Sequence, residues 1–444
     1  MKTKALFMVI AVVLMITLVL TGCAPTQQTQ TPAPTSQQGK GAENETGIDI
    51  SRHVKIIGYL MGEEQPGFKD VLAELNKRLT NDINASMEIN YIGWGEWQSQ
   101  YPLILASGED VDWIYTANWC FYFQEAAKGA FYEIKDEDLK KYMPRYYALF
   151  TEEMKKQALV NGKVYMIPTV SPDKKIFIAL IRGDLRKKYG VPEIKKFSEI
   201  EPYLEAIKKN EPTMIPLYLD STHDIYEPYV SLLAEMDGRY VDVLSSGGSG
   251  SGICRKANEN TGKLYRPTDE PLYSNSIKVA KIMKSWKEKG YINEDVFANN
   301  IESQDSFKQG KSGVAFGNSV SLQETIANAT SKGWEVEIIP LLDKNNQHTK
   351  DPYINNGFAL AANTKNPERT MMAMDLICQD KDYNFLVYYG IEGKNYVIKD
   401  GKIDLPEGLK AEDNDYPPDS AGFWFTNKNQ HLPLATWSPQ YVQL

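Results

Sequence analysis

Val54-Lys-Ile-Ile-Gly-Tyr-Leu60, met again in kind at Met87 to Ile92 and at Val111 to Tyr115, decides the fold. The first run is apolar enough to be a buried strand, the second alternates, and the third follows a Ser-Gly-Glu-Asp turn. Between them Phe68, Val71, Leu72, Leu75 and Leu79 recur at helical spacing, and Trp97 to Leu105 continues helical. A β-α-β-α-β order with crossovers of this length predicts a parallel sheet covered by helices on both faces. Ligands of such sheets sit outside the carboxyl ends of the strands. Here those ends run into Met61-Gly-Glu-Glu64, Gly93-Trp-Gly95 and Thr116-Ala-Asn-Trp119.

The pattern returns downstream. Phe177 to Ile181 reads as a strand, and Asp184 to Tyr189 as a helix stopped by Gly190. Phe197 to Lys209 reads as a helix with Ser198 as its N-cap, and Ile215 to Leu219 as a strand. Ile277 to Lys289 reads as an amphipathic helix, and Gly313 to Phe316 and Val336 to Leu341 as strands. The Ser/Gly run at 245–252 reads as a loop.

Upstream of Val54 nothing is built to pack. Met1-Lys-Thr-Lys4 followed by an apolar run from Ala5 to Leu20 reads as a secretory signal, too short for a transmembrane span. Leu20-Thr-Gly-Cys23 resembles a bacterial lipobox. That resemblance implies cleavage after residue 22 and a lipid on the Cys23 thiol, with palmitate-type acyl chains that hold the chain to the membrane. Residues 23–49 are rich in Thr, Gln, Pro and Ser and read as a flexible tether. A long polar tether with Ala24 after the Cys suits a Gram-positive cell.

The chain left after the tether is longer than one core usually holds, so two lobes are expected. The formal charge is −9, and losing Lys2 and Lys4 makes it more negative by two, which argues against nucleic acid as a partner. Cys120, Cys254 and Cys378 are isolated, and the four histidines are scattered. No spacing indicates a metal or cofactor, and none is expected.

Five segments, in order, carry a family resemblance. They are Ala106-Ser-Gly-Glu-Asp-Val-Asp-Trp-Ile-Tyr115, Asn161-Gly-Lys-Val-Tyr-Met-Ile-Pro168, Arg182-Gly-Asp-Leu-Arg-Lys-Lys-Tyr-Gly190, Gln309-Gly-Lys-Ser-Gly-Val-Ala-Phe316 and Gly390-Ile-Glu-Gly-Lys-Asn-Tyr396. Together they resemble the extracellular solute-binding proteins of ABC importers, the family of maltose-binding protein and the oligosaccharide-binding lipoproteins. Gly313 stands where that family usually has Ala. The resemblance implies a periplasmic-binding-protein-like fold: two α/β lobes joined by a hinge, with the ligand cleft between them. By analogy one lobe takes residues 50–167 and 358–398, and the other 168–357 and 399–444. It also implies a monomer that captures a sugar outside the cell by hinge closure, delivers it to permease subunits, and touches the membrane only through the Cys23 lipid.

Acid, amide and aromatic side chains at strand ends are what a sugar site needs, since hydroxyls need acceptors and pyranose C–H faces pack on rings. The chain has 8 Trp and 26 Tyr to draw on. Glu63 and Glu64 are candidates to accept from hydroxyls, Trp94 and Trp119 to stack, and Asn118 to donate and accept. Asp220, His223 and Asp224 follow the Ile215–Leu219 run, and Asn318 follows the Gly313–Phe316 run. Tyr353, Asn355 and Asn356 lie near the expected lobe crossing, as contacts or as hinge bonds, and Trp424 could be a cleft platform or core. An acidic cleft at Glu63 and Glu64 would also suit a polyamine, and peptide is a further class. The rival functions are a membrane-anchored glycoside hydrolase, which needs a pair of carboxylates close together, and a surface binder that serves no transporter.

Overall fold

A computed structural model describes residues 48–221, 224–242, 252–259, 261–437 and 441. The signal, the lipobox Cys23, most of the tether, His223 and most of the Ser/Gly run lie outside the described residues. Strand β1 (Val54–Met61) buries Ile56 and Leu60 and leads into helix α1 (Phe68–Ile83). Helix α1 buries Phe68, Val71, Leu75, Leu79 and Ile83, the stripe its spacing predicts. It ends at Asn84, whose φ of 48° places it in the left-handed region that a side-chain amide tolerates. Then come β2 (Ala85–Ile92), α2 (Trp97–Ala106) and β3 (Trp113–Thr116). Both β2 and β3 run parallel to β1, with Val54 opposite Ala85 and Gly58 opposite Trp113. Gly58 has no room for a side chain, because a Cβ would lie 2.1 Å from Trp113 Cε2.

The sheet is completed by β4 (Ile167–Pro168) and, much later in the chain, β8 (Gly357–Leu360), in the order β2-β1-β3-β8-β4. Strand β8 runs antiparallel to β3 and to β4. Helix Pro367–Gln379 is buried from Arg369 to Gln379. Its Arg369 guanidinium is spent on backbone carbonyls of Asp49, Ile83 and Asn84, and its Asp375 carboxylate accepts from Tyr146 N at 2.8 Å.

The second sheet departs from the parallel expectation. Its β5 (Phe177–Arg182) runs antiparallel to both neighbours, β6 (Val314–Asn318) and β7 (Val336–Pro340). The reason is connectivity. The chain enters at Phe177 and leaves at Pro340, at the same end of adjacent strands, so β7 must run opposite to β5. The 215–219 run extends this sheet only by parallel bridges, Ile215 to Ser312 and Leu217 to Ile292. Residues of β5 are buried on both faces: Ala179 and Ile181 join one core, Ile178 and Leu180 another, which accounts for its unbroken apolar run. Ser198 is no N-cap: a short 3-10 turn at Phe197–Glu199 precedes the helix, which starts at Glu201 with Pro202 in its first turn.

The carboxy-terminal part is a correction. Residues 399–444 were expected with the second lobe, but Tyr416, Ala421, Phe423 and Phe425 belong to the core of the first. Phe425 packs its ring against Trp113 and Phe358, which gives this segment its anchor. No helix among the described residues is long and apolar enough to cross a membrane.

Candidate functional site

The registers put the strand ends in rows. In the first sheet Ile92 lies opposite Met61, and Gly357 opposite both Thr116 and Pro168. In the second, Asn318 lies opposite Phe177 and Pro340 opposite Ile178. Residues 169–176 and 341–356 carry the chain from one row to the other. The two rows therefore face each other across these crossings, and the loops leaving them line the space between.

The first row is aromatic. Trp94, two residues past β2, stacks on Trp424 with ring centroids 5.7 Å apart and planes 20° from parallel. Trp119, past β3, lies 6.1 Å from Trp94 and edge-on to Trp97 at 6.0 Å. Tyr115 closes the group beneath, edge-on to Trp424. The rings are held by backbone: Trp119 Nε1 donates to Asn355 O at 2.9 Å, and Trp424 Nε1 to Asp419 O at 3.0 Å. Trp94 remains 43% exposed, so the stack presents an open face. Glu63 and Glu64 are exposed beside it, with Glu63 Oε1 against Gly93, where a Cβ would come within 2.7 Å. Asn118 donates its backbone N–H to Ile354 O, and its side-chain Oδ1 is buried without a hydrogen-bond partner.

The crossings carry a charge network that the sequence reading missed. Asp173 takes the ammonium groups of Lys428 and, at 2.7 Å, Lys175, which also lies 3.6 Å from Asp351. Burial works to raise the Asp173 carboxyl, but Lys428 and Lys175 outweigh it and hold it at about 2. Asn356 sits inside this network: its Oδ1 accepts from Tyr115 OH at 2.6 Å and its Nδ2 donates to Asp173 at 3.3 Å. Asn356 thus joins Tyr115 of β3 to Asp173 of a crossing. Lys428 N donates to Ser171 Oγ at 2.6 Å, so the carboxy-terminal segment is bound to the same crossing. Asp419, at φ 65°, has one carboxyl oxygen buried and unpaired. Burial raises it to about 6 against the pull of Lys428, and Asp173 adds to the rise. No spacing could have announced this cluster, whose members come from three distant segments.

The second row spends its polar groups on itself. Asp224 accepts from Ser303 N at 2.5 Å, and its own N–H goes to Asp220 Oδ1 at 2.6 Å. Burial raises the Asp224 carboxyl to about 7, opposed by the Ser303 bond and reinforced by Asp220. Asn318 Oδ1 accepts from Val320 N and Ser321 N at 3.0 and 2.9 Å, closing its own turn. Nearer the crossings, Arg239 lies 5.6 Å over the Phe177 ring, and His348 Nε2 accepts from Phe177 N at 3.3 Å. Burial, with Arg239 adding, lowers His348 to about 4, so it is neutral. Among the described residues no three His, Cys, Asp or Glu side chains gather as a metal site. A groove of about 700 Å³ between α1 and helix Lys381–Tyr389 shares no lining residue with either row. Its charges are partly paired, Arg78 with Glu74 at 3.0 Å, and it presents no stacked rings.

Known proteins resemble this chain. A carbohydrate ABC transporter substrate-binding protein of Streptococcus pneumoniae serotype 4 is 25% identical over 382 residues, 84% of this chain and 70% of that one. The polygalacturonan/rhamnogalacturonan-binding protein YtcQ of Bacillus subtilis is 23% identical over 408 residues, covering 89% and 75%. Among solved structures, the N-glycan transport solute binding protein of Streptococcus pneumoniae shares the fold with a TM-score of 0.68 at 21% identity, over 88% of this chain and 81% of that one. The family model of the bacterial extracellular solute-binding proteins matches residues 62–377. With that match over most of its length, and with two lobes whose strand ends face each other across the crossings, the chain belongs to the bacterial extracellular solute-binding protein family.

Proposed function

We propose that this chain captures an oligosaccharide in the cleft and hands it to an ABC permease, making and breaking no bond. The observation that carries the reading is the open stack of Trp94 on Trp424 with Trp119 beside it. Flat rings receive the C–H face of a pyranose, and exposed Glu63 and Glu64 supply acceptors for its hydroxyls. The two curated relatives, named for carbohydrate transport and for polygalacturonan and rhamnogalacturonan binding, support the same ligand class. Sugar held by both rows favours the closed form, because only that form completes the contacts. A lipid on Cys23 would keep the binder, as a monomer, near its permease.

The test is a thermal-shift panel of oligosaccharides, peptides and polyamines on the exported chain, followed by calorimetry. A ligand that binds the native state alone raises the melting temperature with its concentration. Shifts by oligosaccharides are expected. Shifts by amines alone would overturn the sugar reading, and turnover of a labelled oligosaccharide would overturn the non-enzymatic one. Incorporation of labelled palmitate, lost in Cys23→Ser, tests the anchor.

A further inference from the structure

We infer that Tyr226, Phe297 and Ile301 form the second lobe's half-site, an apolar face that meets the opposite side of the sugar carried by Trp94. The inference rests on the sugar reading above. Of the large apolar side chains, Phe297 is 85% exposed, Tyr226 62% and Ile301 47%. Single exposed apolar residues need no explanation, but three beside two loops joined by hydrogen bonds do.

The loops adjoin because they are tied to one point. Leu219 N donates to Asn293 Oδ1 at 2.9 Å, and Leu219 O accepts from Asn293 Nδ2 at 3.1 Å and from Asn299 Nδ2 at 2.9 Å. Ser221 N donates to Asn299 O at 2.8 Å, and Ser303 N to Asp224 at 2.5 Å. Phe297 and Ile301 ride on one of these loops and Tyr226 starts just beyond the other. The bonds consume polar groups of Leu219, Ser221, Asp224, Asn293, Asn299 and Ser303, while the three apolar side chains stay uncovered.

Their position matches the platform opposite. Counted outward from the crossings, β2 is the last strand of the first sheet, and the Ile292 bridge is the last member of the second. Both point toward the cleft edge, since Ile292 runs parallel to Leu217 and Ile215 parallel to Ser312 at the start of β6. Trp94 follows Ile92 by two residues, and Phe297 follows Ile292 by five. The uncovered apolar face of one lobe therefore stands past strand ends of the same cleft as the open ring of the other. Closure would sandwich a pyranose between them, and would bury both faces only when a sugar fills the gap.

The experiment uses the exported chain with maltotriose, mannotriose and chitotriose as probes. Two readouts run together: tryptophan fluorescence for contact with the platform, and radius of gyration by X-ray scattering for closure. The double variant Tyr226→Ala, Phe297→Ala is expected to keep its melting temperature, since both side chains are exposed. It should bind at least tenfold more weakly than the native chain, still perturb tryptophan fluorescence at high sugar, and fail to contract. Ile398→Ala, an exposed apolar residue lining the remote groove, should behave as the native chain. Native affinity and contraction in the double variant would overturn this inference alone. Failure of all three sugars to bind the native chain would overturn the sugar reading, and this one with it.

Discussion

The two edges of the cleft began from the same kind of residue, a polar or aromatic side chain just past a strand end, and they use it differently. On the first edge the rings of Trp94, Trp119 and Trp424 turn toward one another and leave an open face. On the second, the candidate polar groups turn inward: Asp224 onto Ser303 and Asn318 onto its own turn. An indole has one N–H to satisfy, and once Asp419 O or Asn355 O accepts it, the ring is free to face solvent. A carboxylate or amide has several polar positions, and neighbouring backbone N–H groups claim them first. Position after a strand thus locates a cleft edge, while hydrogen-bond supply decides what that edge can offer a ligand.

The largest expected effect breaks the first edge. Trp94→Ala should weaken oligosaccharide binding by about 2 kcal/mol or more, roughly thirtyfold in Kd, as for a central aromatic anchor. Because Trp94 is part-exposed, its loss should leave the melting temperature of the free chain nearly unchanged. Calorimetry and a thermal melt check the two halves, and a large loss of stability with intact affinity would make the ring packing rather than platform.

The next effect compares one buried carboxyl from each edge. Asp224, near 7, and Asp419, near 6, both stand above an ordinary aspartate because burial disfavours their charge. The folded chain binds these protons more tightly than the unfolded chain, so each group costs stability as pH rises from about 4 through its folded value. Asp224→Asn should therefore flatten the decline in stability between pH 4 and 7, and Asp419→Asn between pH 4 and 6, by up to about 1.4 kcal/mol per pH unit. Asn can keep the Ser303 bond at 224 and tolerates the left-handed backbone at 419. Melts at several pH values decide. The two variants should part on binding: Asp419→Asn can disturb the seat of Trp424, whereas Asp224→Asn should leave affinity within a factor of about two, as for a residue with no hot-spot role.

Much of this was legible in the residues. The spacing of Phe68, Val71, Leu75 and Leu79 predicts α1, and the runs at 54, 87, 111 and 177 predict strands, because one-sided burial imposes a period. The antiparallel β5 was not legible, since direction depends on where a later segment returns. Nor were the Asp173, Lys175 and Lys428 network and the packing of Phe425 on Trp113, which join residues hundreds of positions apart. Asn118, Trp119 and Asn356 were all singled out by position. That Asn356 ties Tyr115 to Asp173 is decided by partners no local pattern contains.

The smallest effect tests the second edge most directly. Asn318 holds two backbone N–H groups at the start of the turn that leads to helix Gln323–Ser331. Asn318→Ala leaves both without that acceptor at a part-exposed site where water can replace it, so the cost should be about 1 kcal/mol of stability. If Asn318 is spent on its turn, affinity for an oligosaccharide should change by less than about twofold, well under the 1.4 kcal/mol of a tenfold step. The comparison between the edges then stands, with indoles held for the sugar on the first edge and the candidate polar groups of the second spent on bracing its loops. A tenfold loss of affinity at an unchanged melting temperature would reverse it, because only an amide that lets go of its turn to meet a hydroxyl could weigh so much on binding and so little on the fold.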